Sequence, residues 1–373
     1  MMRVLLVSNE SEIVGGGEIS LLLLVGGLCE HPDIEPVLAV PDYGAVARRG
    51  ETLGVQVVTL PLPRLRHRLW HLPSARRRAA AVIEGAGPDL VHCNGSRAML
   101  IAGGAARRLH LPVVWHVRVE GGDILDRRLG RAGTVIITPS RAVADRFPSD
   151  RVRVIPNPVE VPVRRRDDPA IESLRQELAG GREYLLLTAG VLTPRKNVPR
   201  TLHALAGLTG LDFTFIVAGR DDPGRPGSDQ AVLEAIRETG LADRVSMLGF
   251  REDIPDLMLA SDLLIHAPDS EGFGRVYIEA MAAGLPVVCT PVGGLAELHA
   301  ETGYGWLAAD MSSAALGETI ATALAESGER ERLHREGPQI AAREYSVSAH
   351  AGRVAAVYQA LERGLSDPEI SVD

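Results

Sequence analysis

Short apolar runs separated by stretches of helical periodicity dominate the 373-residue chain. The first run is RVLLVS at 3–8, followed by a loop through Gly15, Gly16 and Gly17 and a helical pattern at 18–28. Apolar runs at 37–40, 55–60, 90–92, 113–116 and 135–138 predict further strands, with helical patterns at 75–84 and 97–109 among them. Strand–helix alternation predicts a parallel sheet covered by helices on both faces. Pro156, Pro158 and Pro162, with Arg164-Arg165-Arg166-Asp167-Asp168, read as a domain connection, which places the boundary near residue 160. The pattern then starts afresh. Strands are predicted at 184–190, 213–218, 245–250 and 263–266, a short helix at 253–260, and long helices at 314–326, 329–342 and 347–363. The expected fold class is α/β, with two doubly wound Rossmann-like domains at 1–160 and 161–346 and an acidic, frayed tail at 366–373.

The stretch 270–297 concentrates the candidate chemistry. It opens with Glu271, followed at once by Gly272-Phe273-Gly274, and an apolar helical run then carries Glu279. Gly284 stops the helix, 285–290 reads as a buried strand, and Gly293, Gly294 and Glu297 close the stretch. A glycine turn opening a helix presents unpaired N–H groups and the positive end of the helix dipole, which suits a phosphate. A carboxylate on an apolar helix needs a partner, and a sugar diol offers two O–H donors. The Gly15–Gly17 loop has the same strand–loop–helix form and suits a phosphate or a sugar. It is not a dinucleotide fingerprint, because Ser20 stands where the third glycine belongs. His92 and His116 end two predicted strands, where polar side chains point into a cleft; a lone histidine is as readily structural.

Composition narrows the classes. A net charge of −8 counts against a general nucleic-acid binder. Cys29, Cys93 and Cys289 lie far apart without metal spacing and read as three buried small apolar residues in a reducing compartment. The N-terminus lacks a signal-peptide pattern, and no run approaches the ~20 apolar residues of a membrane span. The expected localisation is cytoplasmic. The stretch 64–78, RLRHRLWHLPSARRR, is basic and amphipathic, which suits an anionic membrane surface or an acidic acceptor. Its plainer reading is a solvated segment with a few packed leucines. Of the 40 basic residues only Lys196 is a lysine. In a chain that otherwise uses arginine, one lysine marks a place where a compact cation matters.

The run E-G-F-G-x-V-x-x-E-A-M-A-x-G-x-P-V-V, with its Glu-x7-Glu pair, resembles the signature of retaining glycosyltransferases of family four, which have the GT-B fold. Gly15, Gly16, Gly17 and Glu18 resemble that family's Gly-Gly-x-Glu segment, whose backbone approaches the donor phosphate or the acceptor. The segment 190–197, GVLTPRKN, resembles the family's G-R-L-x-P-x-K-G/N motif, in which an arginine and a lysine hold the donor diphosphate. Lys196 falls on the lysine position. Val191 falls on the arginine position, a departure that leaves Arg195 or Arg275 to supply the second cation. The resemblance further implies that Gly249 and Phe250 hold the nucleobase and that Gly272, Phe273, Gly274 and Arg275 meet the diphosphate. It puts Glu279 on the ribose, Glu271 on the donor sugar, and a histidine, His116 or the position of Arg118, on that sugar as well. His92, Asn94 and Arg118 are then candidates for the acceptor side. It also implies that helix 347–364 packs back on the first domain.

The expected activity is therefore transfer of a hexosyl or N-acetylhexosaminyl group from a nucleotide-diphosphate sugar, most often UDP, to an acceptor hydroxyl, in cell-envelope or natural-product biosynthesis. No D-x-D pair occurs in the chain, and the resemblance implies a metal-free mechanism; no cofactor is expected. The acceptor stays unassigned, and the chain is expected to be a monomer or homodimer. One rival is a nicotinamide dehydrogenase, which the failed dinucleotide fingerprint counts against; two further alternatives remain. One is a non-catalytic nucleotide-sugar-binding subunit, favoured by Val191. The other is a glycan phosphorylase of the same fold, which needs pyridoxal phosphate on a lysine, and the only lysine lies in the wrong motif.

Overall fold

The structure is a computed structural model that describes residues 1–64, 69–118, 124–130, 135–147, 151–222 and 226–364. Residues 65–68 of the basic stretch and the tail at 366–373 lie outside the described residues. The chain divides into two compact units, Met1–Pro158 with Ser346–Asp373, and Val159–Tyr345.

Among the described residues the first unit has seven parallel strands: β1 (Met2–Ser8), β2 (Ile34–Val40), β3 (Gln56–Thr59), β4 (Leu90–Asn94), β5 (Val113–His116), β6 (Val135–Thr138) and β7 (Val152–Val154). Their order is β3-β2-β1-β4-β5-β6-β7. Winding reverses between β1 and β4, which pair in register from Val4↔Leu90 to Ser8↔Asn94. Val4, Leu5, Leu6 and Val7 are wholly buried, as strands covered on both faces must be. Helix Gly16–Cys29 has no polar face through its middle: Leu21, Leu22, Leu24, Val25 and Leu28 are all buried. A helix apolar on every side needs cover on every side. The sheet covers one side, and helix Val347–Glu362 covers another with Ala351, Val354, Val357 and Tyr358.

Two expectations are corrected here. The helix read at 97–109 is interrupted by a π-helical turn, Met99–Gly103, set between Ser96–Ala98 and Gly104–Arg108. Cys29 is exposed, because it is the last residue of its helix and lies past the covered part; only Cys93 and Cys289 are buried. Burial raises both of those thiols, Cys289 to about 12.

Among the described residues the second unit has six parallel strands: β8 (Tyr184–Ala189), β9 (Phe213–Ala218), β10 (Val245–Gly249), β11 (Leu263–His266), β12 (Val287–Cys289) and β13 (Trp306–Leu307). Their order is β10-β9-β8-β11-β12-β13, so winding reverses between β8 and β11. Helices Pro169–Ala179 and Ser228–Thr239 and the two-residue β13 are additions to the sequence reading. In open α/β sheets ligands bind at the carboxyl ends of the strands where the winding reverses, which are β1 and β4 in the first unit and β8 and β11 in the second. No helix among the described residues is long and apolar enough to cross a membrane.

Candidate active site

The reversal in the second unit brings two loops together. The loop after β8 carries Lys196 in the short 3-10 turn Pro194–Lys196, capped by Thr193, whose hydroxyl accepts from the Lys196 N–H. The loop after β11 runs from His266 to Gly274. The loops are latched: Arg195 Nη1 donates to the Ser270 carbonyl at 2.6 Å, Asp269 N–H donates to the Arg195 carbonyl at 2.8 Å, and Asn197 Nδ2 donates to Asp269 at 2.9 Å. Arg200 closes the latch by donating to the same Asp269 carboxylate and to the Ala267 carbonyl.

At the centre, Lys196 Nζ lies 2.6 Å from Glu271 Oε2. His266 Nε2 lies 3.3 Å from the same oxygen and 3.5 Å from Nζ. Arg195 adds a second, looser positive charge at 3.9 Å from Glu271. His266 is fully enclosed, and burial, reinforced by the Lys196 charge, lowers its pKa to about 4. The imidazole is therefore neutral at pH 7, and its Nε2–H donates to Glu271. Burial alone would raise the Glu271 carboxyl. The hydrogen bond from His266 and the charge of Lys196 overcome that and hold it well below the usual carboxylate range. The site thus holds one carboxylate, one ammonium and one neutral imidazole in mutual contact. His266 was not singled out from the sequence, although it ends a buried apolar strand as His92 and His116 do.

The glycine turn takes its shape from close packing. Gly274 has φ 99°, a conformation that favours glycine, and it starts helix Arg275–Ala282. A Cβ on Gly294 would stand 2.5 Å from Phe273 Cα, so the turn rests directly on the start of helix Gly293–Thr302. Glu279 has its partner within the chain: Arg275 Nη2 donates to Oε1 at 2.7 Å, an i,i+4 pair. Val191 lies beside Lys196 and His266 in the wall of a small cavity with Gly190 and Ala218. Gly249 ends β10, and the Phe250 ring beyond it is 59% exposed with the Arg220 guanidinium 4.7 Å over its face.

The first unit's reversal holds a different, buried cluster. Gly16 and Gly17 open helix Gly16–Cys29, and the Gly17 carbonyl accepts from Asn94 Nδ2 at 3.4 Å. Arg118 Nε donates to Asn94 Oδ1 at 2.9 Å, and Arg118 also donates to Asn157. His116 Nδ1 lies 3.2 Å from His92 Nε2, and His92 Nδ1 lies 2.6 Å from the Tyr358 hydroxyl. Both ring nitrogens of His92 are thus engaged inside the fold.

The chain of contacts fixes proton positions. Burial raises the Tyr358 phenol far above its usual range, so it stays protonated and donates to His92 Nδ1. His92 then donates from Nε2 to His116 Nδ1, which leaves His116 with its proton on Nε2. That Nε2 is buried without a hydrogen-bond partner among the described residues. Burial and the Arg118 charge hold both imidazoles neutral, well below the usual histidine range. Tyr358 was not anticipated, because its partner is 266 positions away in sequence.

Two Rossmann-like units, each a parallel sheet with a winding reversal, give the architecture of the GT-B class of glycosyltransferase fold. Anabaena HepE, solved with UDP-glucose, superposes with a TM-score of 0.82 over 96% of this chain and 100% of its own, at 24% identity. The family model for glycosyl transferases group 1 matches residues 170–340, and that for Glycosyltransferase Family 4 matches residues 14–161. The 2-deoxystreptamine glucosyltransferase of Streptomyces kanamyceticus is 30% identical over 92% of this chain and 98% of its own length. The 2-deoxystreptamine N-acetyl-D-glucosaminyltransferase of Streptomyces fradiae is 29% identical over 77% of each. The chain belongs to glycosyltransferase family four.

Proposed function

We propose that the chain transfers a hexosyl or N-acetylhexosaminyl group from a UDP-sugar to an acceptor hydroxyl, retaining the anomeric configuration and using no metal. The observation that carries this reading is the Lys196–Glu271 pair at the β8/β11 reversal, 2.6 Å apart and held by His266. An arriving diphosphate competes with Glu271 for the ammonium. Lys196 turns to the phosphate oxygens, where it stabilises charge on the departing nucleotide. Glu271 is then released to accept hydrogen bonds from the donor sugar hydroxyls. The N-terminus of helix Arg275–Ala282 adds its dipole to the diphosphate site.

Glu279 exchanges Arg275 for the ribose hydroxyls, and Arg275 or Arg195 takes the role vacated at Val191. Gly249 and Phe250 border the base. In the first unit, His116 and the turn at Gly16 and Gly17 are assigned to the donor, and Asn94 and Arg118 to the acceptor. The acceptor oxygen attacks the anomeric carbon from the face the diphosphate leaves. The carbon–phosphate-oxygen bond breaks as the new glycosidic bond forms, and the acceptor proton passes to a phosphate oxygen. Two relatives spanning most of the chain are named for 2-deoxystreptamine, which favours a cyclitol or aminocyclitol acceptor in natural-product biosynthesis.

The test is a thermal-shift panel of UDP-, GDP- and ADP-sugars, followed by nucleotide release with 2-deoxystreptamine and other cyclitols in the presence of EDTA. NMR of the product reads the anomeric configuration. If no nucleotide-diphosphate sugar raises the melting temperature, the reading fails; an inverted product overturns retention. Val191 favours one rival, a binding subunit without turnover. Turnover that Lys196→Ala abolishes excludes it.

A further inference from the structure

Away from both strand reversals, the helical layer of the first unit contains a cavity of about 330 Å³ lined by Arg76, Met99, Gly104, Arg107, Arg108 and Leu129. That volume lies at the small end of the ~300–1,000 Å³ typical of ligand sites. Three of its six lining residues are arginines, and among the described residues no ion pair joins any of them to a carboxylate. Arg107 and Arg108 are exposed in the last turn of helix Gly104–Arg108, where positive charge complements the helix dipole. The dipole accounts for those two but not for Arg76, which comes from a different helix, Leu72–Ala86, and is half-buried facing them. Like charges gathered at a partly enclosed place repel one another, and among the described residues no carboxylate is paired with them.

Arg76 is also held in place. Its Nε donates to the Leu100 carbonyl at 3.0 Å, within the π-helical turn Met99–Gly103. Its guanidinium lies against Gly104, where even a methyl group would overlap it. The Nε bond and the missing side chain together fix the plane of the guanidinium. A fixed guanidinium with two neighbouring cations is the arrangement that recognises phosphate oxygens through paired, charge-assisted hydrogen bonds.

We infer that the cavity between Arg76, Arg107 and Arg108 is an anion site that takes a phosphate group, borne by a small molecule or by a lipid headgroup. The π-helical turn supplies the carbonyl that orients Arg76, and Gly104 leaves room for it. The site uses none of the residues assigned to the donor or acceptor, so it stands or falls independently of the transfer reaction.

The test compares the full-length wild type with R107A/R108A, with Gly104→Ala, and with R77A/R78A. The last pair removes the same charge from exposed positions of helix Leu72–Ala86 that do not line the cavity. Each protein is titrated calorimetrically with inorganic phosphate and with glycerol 3-phosphate. Each is also floated with phosphatidylcholine vesicles with and without phosphatidic acid. The expected result is binding weakened by about tenfold or more in R107A/R108A and in Gly104→Ala, with R77A/R78A near wild type. That pattern in the titrations identifies a soluble phosphorylated ligand. The same pattern in flotation alone identifies a lipid headgroup. Equal losses in R107A/R108A and R77A/R78A, or no loss in any variant, overturn the site. Gly104→Ala keeps every charge and forces the Arg76 guanidinium to move. If it fails to fold, the contrast between the two double variants still decides.

Discussion

Lys196→Arg is the most searching single substitution, because it keeps the charge and changes only its shape. The ammonium reaches Glu271 at 2.6 Å and His266 at 3.5 Å from one nitrogen, with the lysine side chain 21% exposed. A guanidinium spreads its charge over a plane and donates from separate nitrogens in a fixed fork. It cannot occupy the same point between a buried carboxylate and a buried imidazole without displacing one of them. With transition-state stabilisation at the departing diphosphate lost, kcat/KM should fall by about 10²-fold or more, or ~2.7 kcal/mol. Lys196→Ala should cost at least as much and should also destabilise the fold. Removing one member of a buried ion pair costs ~3–5 kcal/mol, and partial exposure of Lys196 reduces the figure to about 1–3 kcal/mol. The His266 pKa should also rise from about 4 in Lys196→Ala, because the lysine charge helps to depress it. The assay is UDP release with the donor and acceptor selected by the panel, alongside calorimetric UDP affinity and urea unfolding. If Lys196→Arg keeps kcat/KM within about threefold of wild type, the compact-cation argument is wrong. If Lys196→Ala leaves both UDP affinity and kcat unchanged, Lys196 has no place at the diphosphate.

Three further outcomes follow from the same geometry. His266 has a folded pKa of about 4 against an ordinary 6.5, so the unfolded chain binds more protons between those values. Its contribution is fully present above about pH 6.5 and is lost as pH falls toward 4, about 3 kcal/mol in all, with His92, His116 and Glu271 acting in the same direction; urea midpoints unchanged from pH 7 to pH 5 would contradict it. Tyr358→Phe leaves His92 Nδ1 buried without a donor and should cost about 1–3 kcal/mol. It should also release the tautomer of His116, read by two-bond ¹H–¹⁵N NMR, and an unchanged His116 tautomer would break the proposed chain of donors. Arg275→Ala removes an i,i+4 pair worth only about 0.5 kcal/mol of stability but should weaken UDP binding roughly tenfold; unaltered affinity would show that Arg275 does not stand in for the arginine absent at Val191.

What could be read in advance depended on sequence separation and on packing. Lys196, Glu271 and the glycine turn at Gly272 and Gly274 lie in contiguous motifs whose residue types state their chemistry, and the doubly wound pattern puts both loops at a winding reversal. The contact between Lys196 and Glu271 spans 75 positions. It follows from the strand order β8-β11, which periodicity alone does not supply. His266 escaped notice because a histidine ending an apolar strand carries no signal until the lysine beside it is located. The same limit explains His92. Its place at a strand end is visible in the sequence, but nothing near it announces that helix Val347–Glu362 brings the Tyr358 hydroxyl onto its ring. Arg76 is the extreme case. In the sequence it is one arginine among many in a basic stretch, and Gly104 is one of 39 glycines. Only the packing of their helices turns the pair into an oriented cation. The stretch read from sequence as a membrane-facing or solvated surface thus resolves, at Arg76, into a specific geometry. The charge there is held by a carbonyl and a missing side chain rather than displayed at random, and for that reason a phosphate group is a more economical account of it than a diffuse basic surface.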